Sequence, residues 1–181
     1  WVAGHFGEWI QGCAGGRVGL VTMVCPVKGV AVSWQDAREL ALDAPAGLLS
    51  PERARAFLAA LGRRDRGRIR VVPDLPAGAG AGMSTAALVA LARAAGAGED
   101  RIAAACLTVE GAVDPLMLPK PDAVLWAPRE AVTRTSLPRP PAAEILGGLW
   151  GPPVPTDPRD TRFPEVDDLL AAWAAGPELP E

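Results

Sequence analysis

Three short stretches of this chain carry residue types that do chemistry. The first is "PAGAGAGMSTAALVALARA", residues 76–94, a glycine-rich run that reaches Ser84 and Thr85 and opens into an apolar helical pattern. A helix begins with amide hydrogens that have no internal partner and that sit at its positive end. Small residues ahead of such a helix let phosphate oxygens approach the backbone. Gly78, Gly80 and Gly82 supply that access, and Ser84 and Thr85 add hydroxyls that can meet a phosphate or its magnesium. The second stretch, "GHFGEWIQG" at 4–12, sets a single carboxylate, Glu8, among glycines. The third, "VEGAVDP" at 109–115, puts Glu110 and Asp114 at the end of a helical pattern and before Pro115. Taken alone, the glycine run fits either a phosphate cradle or a structural turn. It contains no lysine, so it is not a P-loop. Its glycines follow a proline-containing segment, and Asp100 does not end a second strand, so it is not a dinucleotide fingerprint either.

The surrounding pattern predicts the elements that must hold these groups. Residues 18–34 carry two β-rich runs split by Pro26, Lys28 and Gly29, read as a hairpin or two sequential strands. "SPERARAFLAALG" at 50–62 predicts a helix capped by Ser50, opened by Pro51 and ended by Gly62, with Ala54, Phe57, Leu58 and Leu61 on one face. "GRIRVV" at 67–72 predicts a strand delivered into the glycine loop. Helices follow over about 84–95 and about 99–109, the latter with Ile102, Ala103, Cys106 and Leu107 on one side, and a short strand over 123–128. Residues 137–164 are crowded with proline, and "EVDDLLAAWAAG" at 165–176 predicts an amphipathic helix with Val166, Leu169, Leu170 and Trp173 on one face. That face needs a partner, by folding back, by dimerising or by belonging to a larger second domain.

The motifs "FGEWIQG", "VTMVCPV" and "PAGAGAGMSTA", in that order, resemble the GHMP kinases, and within them the L-threonine kinases of cobalamin biosynthesis. Gly7, Glu8, Gln11, Gly12, Cys25 and Pro26 match the pattern directly, and the likeness covers about residues 1–130. It implies an α/β (α+β) fold, a GHMP-kinase-like N-terminal domain over 1–136. The Pro-rich connection and terminal helix over 137–181 then form a truncated or degenerate C-terminal portion, the beginning of an incomplete second domain. It also implies an ATP- and Mg2+-dependent kinase acting on the hydroxyl of L-threonine or a similar small alcohol, with homoserine or a sugar alcohol as near alternatives. In that reading Gly78, Gly80, Gly82, Ser84 and Thr85 bind the nucleotide, and Ser84 and Glu110 hold the metal. Asp114 is the catalytic carboxylate, and Glu8 and Gln11 address the acceptor. The chain departs from the family at Met83, which stands where a first serine is expected, and in the spacing of Glu110 and Asp114. No late glycine-rich third motif occurs in 129–181. The contrasting expectation is a catalytically inactive GHMP-like domain that binds a metabolite or serves as a scaffold. A plainer one is a structural α/β protein with a glycine-rich turn.

Composition narrows the partners. A net charge of −3 provides no basic field for nucleic acid or for an anionic membrane. Three cysteines without a CxxC pair read as reduced thiols, and a single histidine, His5, supplies a tetrahedral zinc site poorly. Apolar runs are too short or too broken to cross a bilayer, and no signal peptide is visible. A cytoplasmic protein is expected, either trimmed at its start or preceded by further residues, with a homodimer through the terminal helix as one way to cover its apolar face.

Overall fold

The computed structural model describes residues 1–154, 157–160 and 162–176. It is a mixed α/β structure, as the sequence pattern predicts at that level. Strands β1 (Val2–Ala14) and β2 (Arg17–Gln35) form a long antiparallel hairpin around Gly15 and Gly16. Then come β3 (Leu40–Asp43), α1 (Pro51–Ala60), β4 (Gly67–Pro73), α2 (Met83–Ala94) and α3 (Glu99–Glu110). A single 3-10 turn at Pro121–Ala123 leads into β5 (Val124–Ala127), β6 (Val132–Ser136) and the late helix α4 (Asp167–Ala174). The sheet runs β3-β4-β2-β5-β6, with β1 paired to β2. Among the named strand pairs of the described residues, β3 and β4 run parallel and the others antiparallel.

The first expected hairpin is corrected by this topology. Pro26 and Lys28 do not reverse the chain. Gly4 pairs with Cys25 and Ala3 with Gly29, so residues 26–28 swell out of one continuous strand. The reversal lies ten residues earlier, at two glycines with φ of 53° and 73°, and the "FGEWIQG" motif is itself a strand. Strands β3 and β6 escaped the sequence reading because each is short and lacks a run of β-branched apolar residues.

Both faces of the sheet are covered, as the alternation along β2 requires. Leu20 joins the main core with α1, α2 and α3, whereas its neighbour Val21 joins a smaller cluster with Ile10, Leu125 and Val166. Helix α2 is buried almost all round, from Met83 to Ala92, which fixes its N-terminus rigidly against β1 and β2. Helix α4 folds back on β1: Trp173 lies 5.9 Å from Trp9, ring centre to ring centre, and Val166 donates its N–H to Cys13 O at 2.9 Å. Leu170 and Trp173 pack there as expected, but Leu169, placed on the same face from the sequence, is 58% exposed. The three cysteines are free thiols.

Candidate functional site

The loop between β4 and α2 adopts the conformation its glycines permit. Gly78, Gly80 and Gly82 have φ of 74°, 67° and 65°, so every second residue is left-handed, which side chains rarely tolerate. Gly82 ends the loop as the N-cap of α2 without any side-chain cap. This differs from α1, whose Ser50 hydroxyl accepts from Arg53 N–H at 3.2 Å. Among the described residues, no N-cap side chain satisfies the first amides of α2. Strand β1 anchors the loop, because His5 N–H donates to Ala81 O at 3.1 Å. A Cβ on Gly4 would overlap the Met83 methyl and sit 2.5 Å from Ala81 O. Met83 itself is 3% exposed, so the residue that replaces the expected serine plugs the contact between loop and strand.

Two carboxylate centres flank this helix end. Glu110, in the last turn of α3, accepts from Ser84 Oγ, from Thr85 Oγ1 at 2.9 Å and from Arg53 Nη2 at 3.0 Å. Arg53 Nη2 also donates to Ser84 Oγ at 3.2 Å. Burial pushes the Glu110 carboxyl above the usual carboxylate range; the two hydroxyls and the Arg53 charge oppose the shift, and nearby Asp114 reinforces it.

Asp114 forms the second centre. Gly111 turns the chain out of α3 with φ of 73°. Val113 then donates its N–H to Pro128 O at 2.9 Å and accepts from Trp126 Nε1 at 2.7 Å. These contacts deliver the Asp114 carboxylate to His5, whose Nε2 lies 3.2 Å from Oδ2. Gly7 N–H donates to His5 Nδ1 at 2.9 Å, and Glu8 Oε1 lies 3.8 Å from that same nitrogen. Residues three apart on a regular strand point to opposite faces. The register slips between His5 and Glu8, and Gly7 has φ of 86°, so a bulge brings both side chains to one face.

Burial lowers the His5 pKa, but the hydrogen bond and charge of Asp114 and the charge of Glu8 outweigh it, and the net shift is upward from 6.5. The Gly7 amide works the other way, since it needs the lone pair on Nδ1. Glu8 is raised by burial and by Asp114, against the lowering influence of His5. Donor atoms of His5, Glu8 and Asp114 lie within 4.8 Å of one another. The two ring nitrogens, however, turn toward different partners, which is hydrogen-bond geometry rather than coordination.

All of the residues singled out from the sequence line one groove of about 970 Å³: Glu8, Gln11, Gly78, Gly80, Gly82, Ser84, Thr85, Glu110 and Asp114. Two further residues in it were missed. Arg53 reads in the sequence as an ordinary helix residue, and its partner lies 57 positions away. His5 was weighed only as a zinc ligand, and its partner is 109 positions away. The Pro-rich segment also reaches the groove. Val154 N–H donates to Gly78 O at 2.9 Å, and Asp157, Pro158, Asp160 and Phe163 also line the groove.

Among the described residues no helix is long and apolar enough to cross a membrane. No protein-family model matches the chain, and no curated protein is significantly similar to it. Its groove is therefore the basis of any functional reading.

Proposed function

We propose that this chain is a GHMP-type phosphotransferase that moves the γ-phosphoryl group of ATP to the hydroxyl of L-threonine or a similar small amino alcohol. The observation that carries the reading is the convergence, at one helix end, of three parts: a glycine loop exposed at Gly80 and approached by Pro153 at Gly78 and by His5 at Gly82, a hydroxyl–carboxylate pair and a separate carboxylate with a free oxygen. The loop amides and the α2 N-terminus suit phosphate oxygens. Ser84 Oγ and Glu110 are hard oxygen donors already in contact, the donor type that fits Mg2+. When bound, that ion would neutralise charge on the phosphates.

Asp114 lines the same groove beside His5, with 24% of its side chain exposed. In the transfer, the acceptor oxygen forms its bond to the γ-phosphorus as the bond to the bridging oxygen of ADP breaks, and the hydroxyl proton passes to Asp114. Glu8 lies beside it and Gln11 lines the same groove, and Glu8 suits an acceptor ammonium group.

A second reading, a binding or scaffolding domain without catalysis, is favoured by specific observations. Glu110 is already engaged by three partners, Met83 offers no hydroxyl, and Val154 holds Gly78 O. Calorimetric titration with Mg2+ and a non-hydrolysable ATP analogue, with and without L-threonine, tests the choice. Binding that Ser84→Ala weakens and threonine strengthens is the kinase result. Binding of threonine alone is the result for a binding domain, and silence from a folded full-length protein removes the kinase reading.

A further inference from the structure

We infer that His5 is the positioning residue for Asp114, holding one carboxylate oxygen so that the other faces the acceptor in a fixed orientation. The kinetic part of this inference rests on the kinase reading above; the structural part does not.

The ring is constrained from three sides. Its backbone N–H is tied to Ala81 O at 3.1 Å. Gly7 N–H approaches Nδ1 at 2.9 Å. The ring edge lies over Gly82 so closely that a Cβ there would overlap Cδ2 and sit 2.7 Å from Nε2. With Nδ1 accepting, the neutral ring carries its proton on Nε2 and aims it at Asp114 Oδ2. Among the described residues, His5 is the only side chain that hydrogen-bonds the Asp114 carboxylate. A carboxylate with one anchored oxygen keeps the other pointed at its substrate, and misplacing such a group by about 1 Å costs on the order of 100-fold in rate.

The charged groups around the ring are Asp114 from the segment after α3 and Glu8 on its own strand, with Glu110 beyond Asp114. The end of α2 contributes Gly82 and no titratable side chain. A second proton would have to enter at Nδ1. It would displace the Gly7 contact, turn Nδ1–H toward Glu8, and place a full positive charge against Asp114. Asp114 then becomes a poorer proton acceptor, so the pair works in its neutral-ring form.

The chain contains a single histidine, so nitrogen NMR of the labelled full chain reports this ring without ambiguity. The expected result is the Nε2–H tautomer at high pH and a ring pKa that falls in Asp114→Asn. An Nδ1–H tautomer, or a ring whose titration ignores Asp114→Asn, overturns the inference even if the protein is an active kinase. In turnover, His5→Ala is expected to lower kcat by about 10- to 100-fold with the nucleotide KM nearly unchanged. His5→Gln, whose amide N–H can reach Asp114, is expected to restore most of that loss and to remove the acid limb of the pH profile. Loss confined to KM, or no recovery in a folded His5→Gln protein, overturns the positioning role. If the folded full-length protein transfers no phosphoryl group, the kinase reading fails and the NMR arm still decides the pair.

Discussion

The two carboxylates beside the N-terminus of α2 are separated by four positions in the sequence and live in opposite circumstances. Glu110 is on a helix, 9% exposed, and engaged at both oxygens by Ser84, Thr85 and Arg53. Asp114 is on a loop, half-open to the groove, and held at one oxygen by His5. A carboxylate with every oxygen engaged rigidifies its surroundings; one with a spare lone pair can accept a proton from something that enters. The contrast teaches which of the two acids is suited to hold the loop in place and which to take part in a reaction.

Removing the spare oxygen's basicity should have the largest effect. Asp114→Asn keeps the shape and is expected to lower kcat by about 1000-fold, with Mg2+–nucleotide affinity nearly unchanged. Steady-state kinetics beside a binding titration checks both halves. Equal loss in binding would merge the two centres into one.

The next largest effect strikes the hinge between them. Gly82→Ala puts a methyl into the His5 ring at a φ of 65°, and unfolding in urea should show a loss of about 3 kcal/mol. A milder cost would mean that the ring can move away, loosening the claim that Asp114 is rigidly held. Glu110→Gln leaves the shape but removes the charge that Arg53 and two hydroxyls use. A stability loss of about 1–2 kcal/mol is expected, together with weaker nucleotide binding in Mg2+ and little change without it. Calorimetry with and without the ion separates the two contributions.

The smallest effect is on the pH dependence of stability. Glu8 and Glu110 bind protons more tightly in the folded chain than in the unfolded one. Their contribution is therefore withdrawn as pH rises from the ordinary carboxylate range through their raised values. His5 acts in the same sense: its contribution is complete below 6.5 and is lost as pH climbs through its raised value. The unfolding free energy should decline between about pH 5 and about pH 8, and Glu8→Gln should flatten the lower part of that slope. A rising curve would contradict the buried character of both acids.

Much of the architecture was legible because local rules sufficed. Ser50, Pro51 and Gly62 mark the ends of α1, and the apolar run after Ser84 can only be a buried helix. The glycine spacing marked a loop, but its left-handed backbone at Gly78, Gly80 and Gly82 is seen only in the structure. The strand reversal was misplaced because Pro26 looks like a turn residue, and only pairing with β1 reveals that the strand absorbs it as a bulge. Helix α4 was foreseen, but its partner was not, because nothing in "DDLLAAWA" says that Trp9 will meet Trp173.

By itself, the sequence determined the α/β character, the helix ends, the glycine loop and the inventory of carboxylates and hydroxyls around it. These depend on backbone geometry and on residues close together in the chain. Tertiary structure alone decided which acid would be engaged at both oxygens and which at one. That choice rests on Arg53 reaching Glu110 across 57 positions and on His5 reaching Asp114 across 109. A bulge at Gly7 and a bare glycine at 82 make the second contact possible. Hydrogen bonds act over about 3 Å in space and leave no mark on spacing in the chain, so the packed sheet and helix had to bring those groups together.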